Sequence, residues 1–147
     1  MDIVIRLISA AETYPVRHAE LRKGRPLSSC AFEGDEEQSS IHLGAYAKDK
    51  LVGVASFMKA PFSEQAEVTA MQVRGMAVLA PFHRQGIGAQ ILDFGEQMLK
   101  EQQVSILWMN ARILALDFYK SLGYSILGSE FHIPEVGAHF KMWKHLS

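Results

Sequence analysis

The sequence predicts a mixed α/β (α+β) fold whose elements follow the order βαβββαβαββ. Three observations lead to this prediction. Paired apolar segments over 41–60 are typical of a β-hairpin. An apolar segment over 73–79 passes through a glycine turn into a helical pattern, and residues 104–109 form a continuous apolar run of strand length.

Length and composition favour one globular domain over residues 1–147. The net charge of −1 implies no bulk attraction to nucleic acid or to a membrane surface, and we expect neither as a partner. No apolar stretch approaches the ~20 residues that span a bilayer, and no signal peptide is evident. Because Cys30 is the only cysteine, no internal disulfide can form, and we expect a cytoplasmic protein.

The first strand is predicted over Ile3–Ile8 and the first helix over Ala10–Leu21. Ser9 is the expected N-cap of this helix, and Glu12 three residues later completes a capping box. Gly24 follows the helix and closes it, since glycine accepts the left-handed backbone common at helix ends.

An irregular loop is predicted over Arg25–Ser40, followed by a hairpin with strands over Ile41–Ala47 and Leu51–Ala60. A polar link then leads to a long strand over Glu67–Leu79. Gly75 inside that strand indicates a β-bulge or the close approach of another group.

The long strand ends at a turn that is suited to binding an anion. Pro81 cannot donate to a β-ladder, and Gly86 and Gly88 allow a tight turn. From Ala89 onward the apolar residues fall at helical spacing. A glycine turn entering a helix leaves backbone N–H groups unpaired at the positive end of the helix dipole, which favours a phosphate.

The last third of the chain predicts three further strands and one helix. The run Val104–Met109 suits a strand buried on both faces, Asn110 follows it, and a helix is expected over Arg112–Leu122, ended by Gly123. The final strands are predicted over Tyr124–Leu127 and Ala138–Lys144, joined by a loop over Gly128–Gly137.

Two motifs resemble those of the GNAT superfamily of acetyl-CoA-dependent N-acyltransferases. The first is Val-x-x-x-[aromatic]-x-x-x-Gly-x-Gly-Ala, here from Val78 to Ala89. The second extends from Asn110 to Tyr124 and includes the pair Phe118-Tyr119 before Leu-Gly-Tyr. Both occur in the family's order, and the overall resemblance covers nearly the whole chain.

The resemblance implies a mostly antiparallel central sheet of about seven strands flanked by helices. In the family, the fourth strand splays from its neighbour, and the gap takes the pantetheine arm of the coenzyme. The family usually has two helices before the second strand, and the second of these is not evident here.

The resemblance also implies site residues. Asn110 is expected to contact the coenzyme, and Tyr119 is expected both to contact it and to protonate the leaving thiolate as general acid. His83 stands where the family's pyrophosphate loop usually begins with Arg or Gln. The other implied coenzyme-binding residues are Met76, Ala77 and Val78 for the pantetheine and thioester, and His83, Arg84, Gln85, Gly86, Ile87, Gly88 and Ala89 for the pyrophosphate.

The general base is left open by the sequence. Many relatives use a carboxylate on the fourth strand, but the middle of that strand, 71–74, has no acid. Glu67 lies at its start, and His139 lies on the last strand with an imidazole suited to proton transfer near neutral pH. Glu130 and His132 are further candidates, and a water chain without a single base is an equal alternative.

The function indicated is transfer of an acetyl group from acetyl-CoA to a primary amine by direct attack in a ternary complex. The alternative is a non-catalytic acetyl-CoA-binding sensor or partner module. A nucleotide-binding phosphate loop is disfavoured because the Walker pattern is absent, and no metal is expected because the histidines lack ligand spacing. The acceptor is an unidentified amine, its site is expected at the loops over 25–40 and 128–137, and a homodimer is possible by analogy with the family.

Overall fold

Residues 2–146 of the computed structural model are described below. They form one seven-stranded sheet flanked by three α-helices, which confirms the predicted fold class. The capping box at Ser9 and Glu12 is present. The elements are β1 (Ile3–Leu7), α1 (Ala10–Leu21), β2 (Ile41–Ala47), β3 (Lys50–Lys59), β4 (Ala70–Val78), α2 (Ile87–Glu101), β5 (Ile106–Arg112), α3 (Leu116–Ser121), β6 (Ser125–Ile133) and β7 (Gly137–His145).

The strand order across the sheet is β1-β2-β3-β4-β5-β7-β6. Every neighbouring pair is antiparallel except β4 and β5, which are parallel. These two strands pair only over Ala70–Gln72 and Ile106–Trp108. Beyond those residues they separate, so the sheet opens into a gap towards the C-terminal ends of both strands. The splayed fourth strand that the family resemblance implies is therefore present.

A β-bulge in β4 lies beside this gap. The β3–β4 register shifts between Val54 and Ser56, where Val54 pairs with Ala77 and Ser56 pairs with Arg74. Gly75 sits within the extra length of β4 and has a φ of 63°, which disfavours a side chain. The bulge predicted from Gly75 is thus confirmed, and it turns the end of β4 towards the gap.

The main core lies between the sheet and α2. The apolar face of α2 buries Ile87, Ile91, Leu92 and Leu99 against the strands. Gly95 on the same face lies over Phe57 of β3, and an added Cβ there would come within 2.3 Å of the Phe57 ring. This close approach sets α2 on the sheet and fixes the position of its N-terminus.

We therefore expect Gly95→Ala to destabilise the protein by about 1–3 kcal/mol through overpacking, although alanine is the better helix former. Equilibrium denaturant unfolding measures the change. Gln97→Ala, at an exposed position of the same helix, is the matched control and should stay within about 0.5 kcal/mol of wild type. A stabilised Gly95→Ala variant would contradict the packing described.

Two predicted boundaries on the coenzyme side are wrong by a few residues. β4 begins at Ala70, so Glu67 lies in the preceding turn, where the chain leaves a short 3₁₀ helix. α2 begins at Ile87, because the helix starts directly after the left-handed Gly86 instead of after the second glycine. Both boundaries depend on the geometry of the adjoining turns, which cannot be inferred from the spacing of apolar residues.

Larger corrections fall in the last third of the chain. β5 continues to Arg112, so Asn110 lies within the strand, and the predicted helix over 112–122 is a 3₁₀ turn followed by the short α3. The predicted loop over 128–137 is mostly strand: β6 extends to Ile133, and only residues 134–136 connect it to β7. The register of β6 against β7 shifts between Leu127 and Phe131. Gly128, with a φ of 80°, lies in this irregular part of β6, and the strand continues beyond it.

The segment over 25–40 is irregular as predicted and contains one 3₁₀ helix, Leu27–Cys30, where the family usually has its second helix. No helix among residues 2–146 combines the length and apolar character needed to cross a membrane.

Candidate active site

The N-terminus of α2 presents unpaired backbone donors. Gly86 is the N-cap with a φ of 77°, and no side chain caps the helix. The N–H of Gln90 bonds to the carbonyl of Gly86 at 3.1 Å, so the N–H groups of the three preceding residues have no partner within the helix. Arg84 in the turn also has a positive φ, of 62°. Unpaired donors at the positive end of the dipole of a 15-residue helix are suited to an anion.

A cavity of about 680 Å³, here called the coenzyme-side cavity, runs from this turn to the end of β4 and the start of α3. Gly88 lies close to α3, since an added Cβ would meet the Phe118 ring at 3.2 Å. Most of the residues that the resemblance assigns to the coenzyme line this cavity. They are Met76, Ala77, Val78, His83, Arg84, Gly86, Ile87, Gly88, Ala89 and Tyr119. Gln85 and Asn110 are not among the lining residues.

The side chain of His83 turns back towards β4. Its Nε2 donates to the carbonyl of Val78 at 2.5 Å and lies 3.7 Å from a carboxylate oxygen of Glu20. The imidazole therefore ties the turn to the end of the strand.

A second cavity of about 470 Å³, here called the acceptor-side cavity, occupies the gap between the splayed strands. Residues 72–76 of β4 and 109–112 of β5 form its walls, and Phe32 and His139 also line it. Both cavities are lined by Leu21, Met76, Ala115 and Tyr119. The two cavities therefore adjoin each other, with Met76 and Tyr119 at the junction.

Tyr119 is buried at this junction, with 6% of its surface exposed. Burial raises the pKa of its phenol above the ordinary value, so the hydroxyl stays protonated at neutral pH. No hydrogen bond links that hydroxyl to any other group within residues 2–146. The rings of Phe118 and Tyr124 pack edge-on against Tyr119 at 5.0 and 5.8 Å and hold its orientation.

His139 lies in the wall of the acceptor-side cavity with 3% of its surface exposed. Its Nδ1 contacts the carbonyl of Gly137 at 2.7 Å. Since a carbonyl can only accept, Nδ1 carries a proton, and Nε2 is left as the ring nitrogen that can accept one. The imidazole is thus held in the tautomer that can accept a proton at Nε2.

Three of the remaining predicted residues lie away from both cavities, and the fourth, Asn110, lines one of them. Glu67 is exposed in the turn before β4, and Glu130 and His132 are exposed on β6. None of these three lines either cavity. Asn110 is exposed on β5 and lines the acceptor-side cavity instead of the coenzyme-side cavity. Within residues 2–146, no group of three or more metal-ligating side chains is placed to hold a metal ion.

The two segments expected at the acceptor site, 25–40 and 128–137, contribute Phe32, Ile133 and Val136 to this cavity. Sequence reasoning did not single out four of its residues: Arg22, Phe32, Arg74 and Arg112. They come from the end of α1, the irregular loop, β4 and β5. Neither the spacing of apolar residues nor a sequence motif predicts that these four positions lie close together. The only available signal was one aromatic residue in an otherwise polar loop.

Comparisons with known proteins agree with this architecture. A family model described as "Acetyltransferase (GNAT) domain" matches residues 26–144. The curated "Uncharacterized N-acetyltransferase YitI" of Bacillus subtilis (strain 168) is 34% identical over 142 residues, which is 97% of this chain and 95% of that protein.

Solved structures share the fold. An aminoglycoside 6'-N-acetyltransferase complexed with coenzyme A matches with a TM-score of 0.77 at 15% identity, covering 98% of this chain and 97% of the other. FeeM, an N-acyl amino acid synthase from uncultured soil microbes, matches with a TM-score of 0.79 at 16% identity, covering 99% and 91%. At these identities the likeness concerns the fold alone.

Proposed function

Because the chain belongs to the GNAT acetyltransferase family and is therefore an acyltransferase, we propose that it acetylates a primary amine with acetyl-CoA. The amine attacks the thioester directly within a ternary complex. The observation that carries this proposal is the pair of adjoining cavities, one beside the N-terminus of α2 and the other lined by the buried His139. Two substrates entering from opposite sides would meet at Met76 and Tyr119, which is the proximity that acyl transfer requires.

The coenzyme side fits a pyrophosphate and an extended thiol arm. The unpaired N–H groups of the turn and of the first turn of α2 would bind the pyrophosphate. Past Gln72, β4 no longer pairs with β5, so the backbone at Met76 and Ala77 is open towards the cleft. These groups would hold the pantetheine amides, and a backbone N–H there would stabilise the oxyanion that forms on the thioester carbonyl. The arm would enter the gap between β4 and β5 at its Met76 end, and the rest of the acceptor-side cavity would stay open to the amine.

His139 is the general base of the proposed mechanism. Its Nε2 accepts a proton from the acceptor ammonium, while Nδ1 keeps its bond to Gly137. The freed nitrogen lone pair then forms the C–N bond at the thioester carbon, and the tetrahedral intermediate collapses with cleavage of the C–S bond.

Tyr119 donates its proton to the departing thiolate. The attacking nitrogen loses a second proton as the amide forms. Of the two protons that the nitrogen gives up, one returns to Tyr119 and the other is released to solvent. The products are the acetylated amine, free coenzyme A and one net proton. Because burial keeps the phenol protonated, Tyr119 is suited to act as an acid and not as a base.

Calorimetry and thermal unfolding test the coenzyme half of the proposal. Acetyl-CoA at about 100 times its Kd should stabilise the native state by about 2.7 kcal/mol, and NAD and ATP should give no comparable increase in Tm. An equal response to all three compounds would contradict the coenzyme assignment. Tight acetyl-CoA binding without transfer to any amine would favour the alternative of a non-catalytic sensor module.

His139→Gln tests the base. We expect kcat to fall about 100-fold, with little change in the affinity for acetyl-CoA. Glutamine is close in size and can still donate to Gly137, so the variant should fold. His132→Gln, at an exposed position on β6, is the matched control and should behave as wild type. A kcat for His139→Gln within threefold of wild type would favour the water-chain alternative.

A further inference from the structure

The acceptor-side cavity is rich in positive charge. Arg22, Arg74 and Arg112 line it, and no aspartate or glutamate is among its lining residues. In the described part of the chain, none of these three guanidinium groups lies within 4.0 Å of a carboxylate oxygen. Since the whole protein has a net charge of −1, this concentration of cations is local to the cleft.

Phe32 holds two of these cations at the cavity wall. The guanidinium carbons of Arg22 and Arg74 lie 5.0 and 5.2 Å from its ring centroid, within the range of cation–π attraction. Arg17 lies at 3.9 Å from the same ring, but its charge is neutralised by Asp35 at 2.7 Å. The arrangement therefore keeps two unneutralised cations in place without supplying an anion.

The positive region continues to the mouth of the cavity. Arg22 and Arg112 also line an adjoining cavity that includes Lys23 and Arg25. Burial lowers the pKa of Arg22, and the charges of Arg25, Arg112 and Arg74 lower it further. Of these cations, Arg25 has an anionic partner, Glu135 at 2.7 Å. Like charges in one cleft repel each other, and a bound anion would relieve that repulsion.

We propose that the acceptor is a small primary amine carrying a carboxylate or phosphate, and that Arg22, Arg74 and Arg112 bind this anionic group. The inference rests on the proposed function and specifies its substrate class. Arg112 pairs with His139 across β5 and β7, so the anion-binding and proton-accepting groups lie side by side in the sheet. A cavity of about 470 Å³ suits a small molecule.

The arginines also favour the reactive form of such a substrate. An amine must lose a proton before it attacks, and nearby positive charge lowers the pKa of an ammonium group. A polyamine or an aminoglycoside would instead bring several positive charges into a cationic cleft. The arginine cluster therefore selects for anionic amines and against polycations.

Matched amine pairs test the inference by thiol release from acetyl-CoA. The pairs are glycine with glycinamide, β-alanine with β-alaninamide, and O-phosphoethanolamine with ethanolamine, with spermidine as the polycation. For the wild type we expect kcat/KM at least about 10-fold higher for the anionic member of at least one pair, since hydrogen bonds to charged groups have this order of effect. The carboxylate and phosphate pairs distinguish the two anions.

Arg112→Gln should reduce that preference to less than about threefold, mainly through KM. Arg6→Gln removes the same charge from an exposed position on β1, at the far edge of the sheet, and should keep the preference. Equal or better turnover of the neutral amines or of spermidine by the wild type would overturn the inference while leaving the proposed function intact.

Absence of thiol release with every amine would count against the proposed function instead. Binding would then decide the inference. With coenzyme A present, β-alanine or O-phosphoethanolamine should raise the Tm of the wild type more than its neutral partner, and Arg112→Gln should abolish the difference. No such difference in the wild type would overturn the inference.

Discussion

Tyr119→Phe is expected to lower kcat by about 10²–10³-fold, with little change in the affinity for acetyl-CoA. The phenol lies where the two cavities meet, and burial keeps it protonated. Without it the thiolate leaves unprotonated, so collapse of the tetrahedral intermediate slows. Steady-state thiol release with saturating acetyl-CoA measures the effect.

Tyr119→Phe should lower the rate of catalysis without lowering the stability of the fold. The Tyr119 hydroxyl has no hydrogen-bond partner within residues 2–146, so its removal leaves no protein group unsatisfied. The unfolding midpoint should therefore remain close to that of wild type. Tyr46→Phe, on β2 away from both cavities, is the matched control. A kcat for Tyr119→Phe within threefold of wild type would remove the general-acid role.

Asp35→Ala is expected to destabilise the protein by about 3–5 kcal/mol, because it leaves the charge of Arg17 buried and unpaired. Arg17 is fully buried, and its Nη atoms contact both carboxylate oxygens of Asp35 at 2.7 and 2.9 Å. The same guanidinium donates to the carbonyl of Cys30 and the hydroxyl of Ser56. Thermal unfolding should show a Tm about 6–20 °C lower.

Glu135→Gln is the matched control, because it breaks an ion pair of the same length, Arg25–Glu135, in which the acid is 77% exposed. Its cost should be below about 1 kcal/mol. A double-mutant cycle of Asp35→Ala with Arg17→Met should show a coupling energy between the two residues. Strictly additive effects would contradict the pairing described.

The contribution of Asp35 should also depend on pH. Burial alone would raise the pKa of this carboxyl, but hydrogen bonds from Arg17 and the Phe32 N–H, with the charges of Arg17 and His42, outweigh it and hold the pKa below its usual range. A lowered pKa stabilises the folded state above the unfolded value of about 3.9, and this stability is lost as the pH falls through the folded value. The wild-type advantage over Asp35→Ala should therefore shrink below about pH 4.

Local patterns predicted most of the fold. The Ser9–Glu12 capping box and the two apolar segments of β2 and β3 are encoded within short windows, so α1 and the hairpin fall where expected. The prediction of a loop over 128–137 is wrong. Gly128 and Gly137 are typical of turns, but pairing with β7 keeps most of that segment in a strand. Cross-strand pairing of this kind is a tertiary property that sequence spacing does not report.

The two halves of the site differ in how far they could be predicted. The coenzyme side depends on consecutive residues, so the turn through Gly86 and Gly88 was recognisable from its motif. The acceptor side joins Arg22, Phe32, Arg74 and Arg112 from four separate elements. His139 was a candidate by residue type, but its tautomer depends on the Gly137 carbonyl, which only the folded strand positions.

Product balance is the most direct test of the proposed acetyl transfer. Purified protein is incubated with acetyl-CoA and the amine panel, free thiol is quantified, and the acetylated amine is measured by mass spectrometry. Acetyl transfer predicts amine-dependent thiol release matched one to one by acetylated amine, with both signals lost together in Tyr119→Phe. Thiol release without acetylated amine, or acetyl-CoA binding with no product from any amine, would contradict it.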